Sequence, residues 1–209
     1  MSRWTAPLLT LATDGPINRR RYGRDWAGLP AGVAYAIADP YGDQHAPTKP
    51  HVHCSAWAFE ALVLGHRILE RDTWPGPTRA EWELAFQWTG ADPRGLAMMA
   101  HRRGIGTQPV KGLPDVQPGQ WYACQGHRND GGGHTFLALA HAGGLVYLEA
   151  NGKAAGGPVL GGLDGVGSRH AEPRNSRDWP KGNWPTSLKP STVAEVLSTY
   201  GTVWASRLT

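Results

Sequence analysis

Charge is scarce in this sequence: Asp, Glu, Lys and Arg make up 18% of 209 residues, and there are only two cysteines, three methionines and three phenylalanines. Two cysteines cannot build a disulfide framework, so Cys54 and Cys124 are free thiols, one bridge, or chemistry. No run of 18 apolar residues occurs, which argues against a membrane span. The N-terminal stretch MSRWTAPLLTLATDGP carries one Arg and a short apolar patch broken by Pro and Thr, so no cleavable signal peptide is expected. Zinc-finger spacing, an RNA-binding aromatic signature, heptads and internal repeats are all missing, and nucleic acid is not an expected partner.

Glycine and proline, by contrast, reach 45 of 209 residues beside 40% apolar residues. That balance predicts a folded but loop-rich chain, and the length fits one α+β domain over residues 1–209. The net charge of +4 is diffuse, dense only at Arg19, Arg20 and Arg21 with Arg24 beyond. Such basicity serves solubility or favours a polyanionic surface such as cell wall or nucleic acid, without choosing between them.

Residues 1–50 read as irregular, with turn chemistry at Asp14-Gly15-Pro16 and Pro40-Tyr41-Gly42 and a short strand over Val33–Ala38. Residues 54–104 read as helical. Trp57, Ala58, Ala61, Leu62, Gly65 and Leu69 recur at helical spacing after Cys54, Thr78 and Glu81 form a capping box for a helix to about Trp88, and Asp92-Pro93 opens a third that Gly104 ends. Over 115–151 the period changes to that of strands, at Trp121–Gln125, Thr135–His141 and Leu145–Glu149, the pattern of an antiparallel meander. Residues 152–190 show no period and predict a long loop. In 191–209, Ser191 is the expected cap of a last helix to Tyr200, Gly201 its stop, and Thr202–Leu208 a closing strand.

The chemistry centres on Cys54. A thiol in the first turn of a helix meets unpaired N–H groups and the positive end of the helix dipole, which favour the thiolate. His134 follows three glycines at a strand start, where its imidazole can serve as a base facing a helix N-terminus. Glu149 and Asn151 share one face of the next strand, and either can orient that ring and fix its tautomer. Cys124 reads as a packed core thiol, and His127 and His141 as surface residues at turns. Trp179 and Trp184 are candidates to wall a substrate groove. A rival assignment uses His45, His51, His53 and Cys54 as zinc ligands, although their spacing fits no closed zinc pattern.

These residues resemble a family. Tyr41, thirteen positions before Cys54-Ser55-Ala56-Trp57, resembles the Tyr that precedes a Cys-Ser-Gly-Phe motif in NlpC-type cell-wall peptidases. Val116-Gln117-Pro118-Gly119-Gln120-Trp121-Tyr122 is similar to their Pro-Gly-Asp segment, and Gly133-His134-Thr135-Phe136-Leu137-Ala138 to their Gly-His-Val strand. Leu148-Glu149-Ala150-Asn151 is closer to the Glu-x-Asn ending of the related cysteine, histidine-dependent amidohydrolase/peptidase (CHAP) group. The likeness spans residues 40–151. It departs at His53, where Asp or Gln is usual, at Ala56 in place of Gly, and in lacking the third histidine of the NlpC type.

The resemblance implies a papain-like α+β fold, N-terminal helices packed on a small antiparallel sheet. It implies Cys54 as nucleophile, His134 as base, Glu149 or Asn151 as orienter, and Tyr41 polarising the scissile carbonyl. Trp57, Trp179 and Trp184 are the candidate substrate contacts. Peptidoglycan is then the expected substrate and no cofactor or metal is needed. A monomer made in the cytoplasm and reaching the wall by a non-Sec route follows, either a phage lysis enzyme or an injected antibacterial effector with a cognate inhibitor protein. A non-catalytic wall-binding module of the same fold is the other expectation.

Overall fold

A computed structural model describes residues 2–8, 21–22, 51–52, 54–70, 76–85, 92–129, 131–141, 143–151, 157–163, 169–171 and 190–209. It is a mixed α+β arrangement. Helix α1 (Cys54–Leu69) begins and ends where the apolar stripe does, and its residues 57–66 are all buried. Helix α2 (Arg79–Ala85) starts from the expected box: Thr78 Oγ1 accepts from the Glu81 N–H at 3.1 Å, and Glu81 Oε2 accepts from the Thr78 N–H at 2.9 Å. Helix α3 (Gly95–Arg102) follows a turn in which Asp92 Oδ1 takes the Arg94 N–H, and Gly104 closes it with a positive φ.

Strands β1 (Arg21–Tyr22) and β2 (His51–Val52) form a short parallel pair. The main sheet has seven strands, β3 (Val110–Lys111), β4 (Trp121–His127), β5 (Gly133–His141), β6 (Gly144–Asn151), β7 (Gly157–Leu163), β8 (Arg169–Ala171) and β9 (Thr202–Arg207), in the order β3-β9-β4-β5-β6-β7-β8. All its pairings are antiparallel. The meander β4-β5-β6 is as expected, but residues 152–190 are not one loop, because β7 and β8 lie inside them. Gly-rich β7 carries no period-two apolar signal, and its backbone pairing with β6 is what makes it a strand. The closing strand β9 also lies inside the sheet, between β3 and β4.

Both faces of the central strands are covered. Trp121, Ala123, Leu137, Leu139, Val146 and Leu148 pack with Trp57, Ala58, Ala61 and Leu62 of α1 on one face. Tyr122, Cys124, Phe136, Ala138, Leu145 and Tyr147 pack on the other with Val196 and Tyr200 of helix α4 (Val193–Tyr200). Strand period two sorts them without exception within each strand, odd numbers of β4 and β5 and even numbers of β6 on the α1 face. The N-cap of α4 is Thr192, in a capping box with Glu195, and not Ser191, whose backbone instead bridges Leu145 in both directions at 2.7 and 2.9 Å. The N-terminal segment is also less irregular than expected: residues 5–8 are helical, and Trp4 and Leu8 are buried against α1. The expected strand at 33–38 and the end of the second helix past Ala85 lie outside the described residues. Among the described residues no helix is long and apolar enough to cross a membrane.

Candidate active site

Cys54 is the first residue of α1 and sits against the start of β5. Its Sγ lies 4.0 Å from Ser55 Oγ. The expected thiolate is corrected here: burial pushes the Cys54 thiol up, outweighing the lowering by the nearby Thr135 main chain, by the Ser55 hydroxyl and by the N–H groups of the helix's first turn. A helix N-terminus lowers a thiol's pKa only when desolvation does not exceed it, and Cys54 is buried.

His134 and Glu149 are brought together. His134 Nε2 is hydrogen-bonded to Glu149 Oε2, with the histidine almost fully and the carboxylate fully buried. Donation from Nε2 to a carboxylate fixes the tautomer and leaves the lone pair on Nδ1, the nitrogen nearer the main chain. The ring is flanked by Phe136, with centroids 5.7 Å apart, and by Tyr200 of α4, 6.1 Å away and inclined by 11°. Gly126, paired with His134 across β4, makes that possible, because a Cβ there would stand 2.8 Å from the Tyr200 ring.

The stacking also decides which face His134 occupies. It shares the Phe136 and Tyr200 face, whereas α1 and Cys54 pack on the Thr135 and Leu137 face. Helix α1, with Cys54 at its start, and the His134 ring therefore lie on opposite faces of β5.

The Cys54 side of the sheet carries a polar chain that sequence reasoning missed. Ser55 Oγ lies 3.0 Å from Thr135 Oγ1, which donates to Gln125 Oε1 at 2.9 Å, and Gln125 Nε2 donates to the carbonyl of His134 at 3.3 Å. All three side chains are buried. The signal was available, since period two places Thr135 on the face opposite His134, and Thr135 pairs with Gln125 in the β4–β5 register.

The remaining candidates fall as follows. Trp57 is corrected from substrate contact to core: it is 0% exposed, facing β5 and β6 within the α1 cluster. Cys124 is a buried thiol as expected, pushed far up by burial. Both cysteines are free and occupy opposite sheet faces, which removes the single-bridge option. Tyr41, Trp179, Trp184, His45 and His53 lie outside the described residues, as do the side chains of His51 and Asn151. Among the described residues no three of His, Cys, Asp and Glu are grouped to hold a metal.

No family model matches the chain, and no solved structure matches it. One curated relative is an acyl-CoA dehydrogenase, IpdE1 of Mycobacterium tuberculosis, 32% identical over 111 residues. The match covers 50% of this chain and 29% of the dehydrogenase, so the chain spans under a third of that relative's length.

Proposed function

We propose that the chain is a papain-like thiol-dependent amide hydrolase that cuts a stem-peptide or cross-bridge amide of peptidoglycan. The observation that carries this reading is the buried pair of His134 Nε2 and Glu149 Oε2 at the start of β5, where Ser55, the neighbour of Cys54 in the first turn of α1, lies 3.0 Å from Thr135 Oγ1.

In the reaction Cys54 gives its proton to His134 Nδ1, and the sulfur bonds to the scissile carbonyl carbon. The resulting imidazolium is stabilised by Glu149, and the N–H groups of Cys54 and Ser55 at the helix start are donors for the developing oxyanion. Collapse breaks the C–N bond as His134 passes the proton to the leaving amine. Water, deprotonated by Nδ1, then hydrolyses the thioester and restores the thiol. Burial pushes the Cys54 thiol up, so its proton is to pass to Nδ1 only when substrate arrives.

A second reading is a non-catalytic wall-binding module, favoured by the placement of Cys54 and the His134 ring on opposite sheet faces. The basic charge suits either reading on an anionic wall. As an enzyme the chain fits a phage lysis enzyme or an injected antibacterial effector, monomeric and controlled by a cognate inhibitor protein. Mass spectrometry of muropeptides after incubation with purified sacculi tests the reading: new stem-peptide or cross-bridge fragments are expected, and an unchanged muropeptide profile favours the binding module.

A further inference from the structure

A cavity of about 340 Å³ opens at the end of β4 away from His134. Tyr122, the second residue of β4, lines it, whereas Gly126, which pairs with His134, is the last but one. Tyr122 and Ala205 of β9 place the cavity on the α4 face of the sheet, away from α1. Its wall from Leu113 to Gln117 is held in shape by that tyrosine. The buried Tyr122 hydroxyl accepts the Gln117 N–H at 2.8 Å and donates to the Asp115 carbonyl at 3.2 Å.

The lining joins apolar surface to unspent charge. Val110 of the edge strand β3 is 46% exposed, one of two large hydrophobic residues left so open among the described residues, and it shares the cavity with Leu113 and Val116. Arg207 of β9 donates through Nη1 to Gln117 Oε1 at 2.7 Å. Among the described residues no ion pair joins Arg207 to Asp115 or to another carboxylate, although both line the same cavity. The rest of the guanidinium fork and the Asp115 carboxylate are therefore left for a ligand.

We infer that this cavity binds the C-terminal end of an apolar peptide, with the terminal carboxylate on Arg207, the last side chain against Val110, Leu113 and Val116, and a main-chain N–H on Asp115. The lining selects that ligand step by step. A guanidinium fork matches a planar carboxylate with two parallel bonds. A phosphate brings further negative charge, which Asp115 repels and the apolar wall deprives of water. A plain carboxylic acid leaves Asp115 without a donor. A peptide end carries the carboxylate, the apolar side chain and the N–H on one short skeleton. The volume is at the small end for ligand pockets, which suits the last residues of a chain and not a folded partner. The site is separate from Cys54 and His134 and stands whether or not the chain is a hydrolase.

The test is titration of the nitrogen-15-labelled full chain, read from its backbone amide shifts. The probes are acetyl-alanyl-leucine, its C-terminal amide, and isocaproate, which has the leucine side chain and carboxylate without a peptide N–H. The peptide acid is expected to shift the amides of Val110, Val116 and Gln117 and to leave those of Thr135 and Leu137 unmoved. Its affinity should exceed that of the amide and of isocaproate by about tenfold or more, and Arg207→Met should lose a similar factor. Val110→Glu, at an exposed position, should abolish binding with the rest of the spectrum in place. Lining amides that stay put with the peptide acid overturn the inference. So does equal binding of the amide or of isocaproate, or wild-type affinity in Arg207→Met. If Arg207→Met disturbs the spectrum at large, Val110→Glu decides in its place, and wild-type affinity there overturns the inference.

Discussion

His134 Nε2 is bonded to Glu149 Oε2 just past the point where their strands stop pairing. The β5–β6 ladder ends at Leu137 and Leu148, and its register, carried on, sets Phe136 opposite Glu149 and His134 opposite Asn151. The bond therefore runs on the diagonal of one sheet face, within reach of long side chains. Where the strands part, Thr135 on the other face meets Ser55 of α1, its Oγ1 3.0 Å from the Ser55 hydroxyl.

Glu149 is expected to matter more than its amide neighbour. A carboxylate both fixes the tautomer and stabilises the imidazolium, while an amide does only the first. Glu149→Gln should keep the fold and lower kcat by ten- to a thousandfold, roughly 1.4 to 4 kcal/mol of barrier. Asn151→Ala should cost less. Steady-state rates on a soluble muropeptide check this, and a larger loss in Asn151→Ala makes the amide the orienter.

Trp57 should act on stability and not on substrate affinity. Trp57→Ala empties a fully buried site and is expected to cost about 3–5 kcal/mol in urea unfolding. Trp57→Phe should cost far less, because the indole N–H is buried without a hydrogen-bond partner among the described residues and its loss offsets part of the missing volume. A raised KM with unchanged stability in either variant contradicts the core assignment.

Much of this arrangement was legible because single residues announce it. The stripe from Trp57 to Leu69 marks α1, the Thr78 and Glu81 pair marks α2, and alternation in 121–151 marks the meander. Where the stripe misled was at Trp57, since a helix buried on most sides uses aromatic residues in its core as readily as at a groove. Strands β7 and β8 were hidden because Gly157, Gly161 and Gly162 supply backbone without side-chain pattern. Ser191 and Thr192 are both capping residues, and only the reach of Glu195 to Thr192 separates them. The Cys54 pKa was misjudged for a related reason: the helix start is local and readable, while burial by β5 is a tertiary fact.

A second buried group gives the fold an acid sensitivity. His66 of α1 accepts from Arg103 Nε at 3.0 Å, and Arg103 Nη1 bonds both oxygens of Glu81 at 2.8 and 2.9 Å. Burial, and then the Arg103 charge, lower the His66 pKa to about 4, with Arg3 adding to the effect and Glu70 and Glu81 opposing it. Between an unfolded value near 6.5 and that folded value, the unfolded chain binds a proton the folded chain refuses. Stability should therefore fall as pH drops from about 6.5 to 4, and His66→Gln should flatten that part of the profile. Urea midpoints at pH 7 and 4.5 for both proteins check it, and equal slopes contradict it.

The central claim is that Cys54 and His134 act as one nucleophile and base. Its most direct test is release of soluble fragments from purified sacculi by wild type, Cys54→Ala, His134→Ala and Cys124→Ala, each first shown folded by circular dichroism. The account predicts release by wild type and Cys124→Ala and none by Cys54→Ala or His134→Ala, because removing either member disables the pair. Release by Cys54→Ala at a rate near wild type contradicts it.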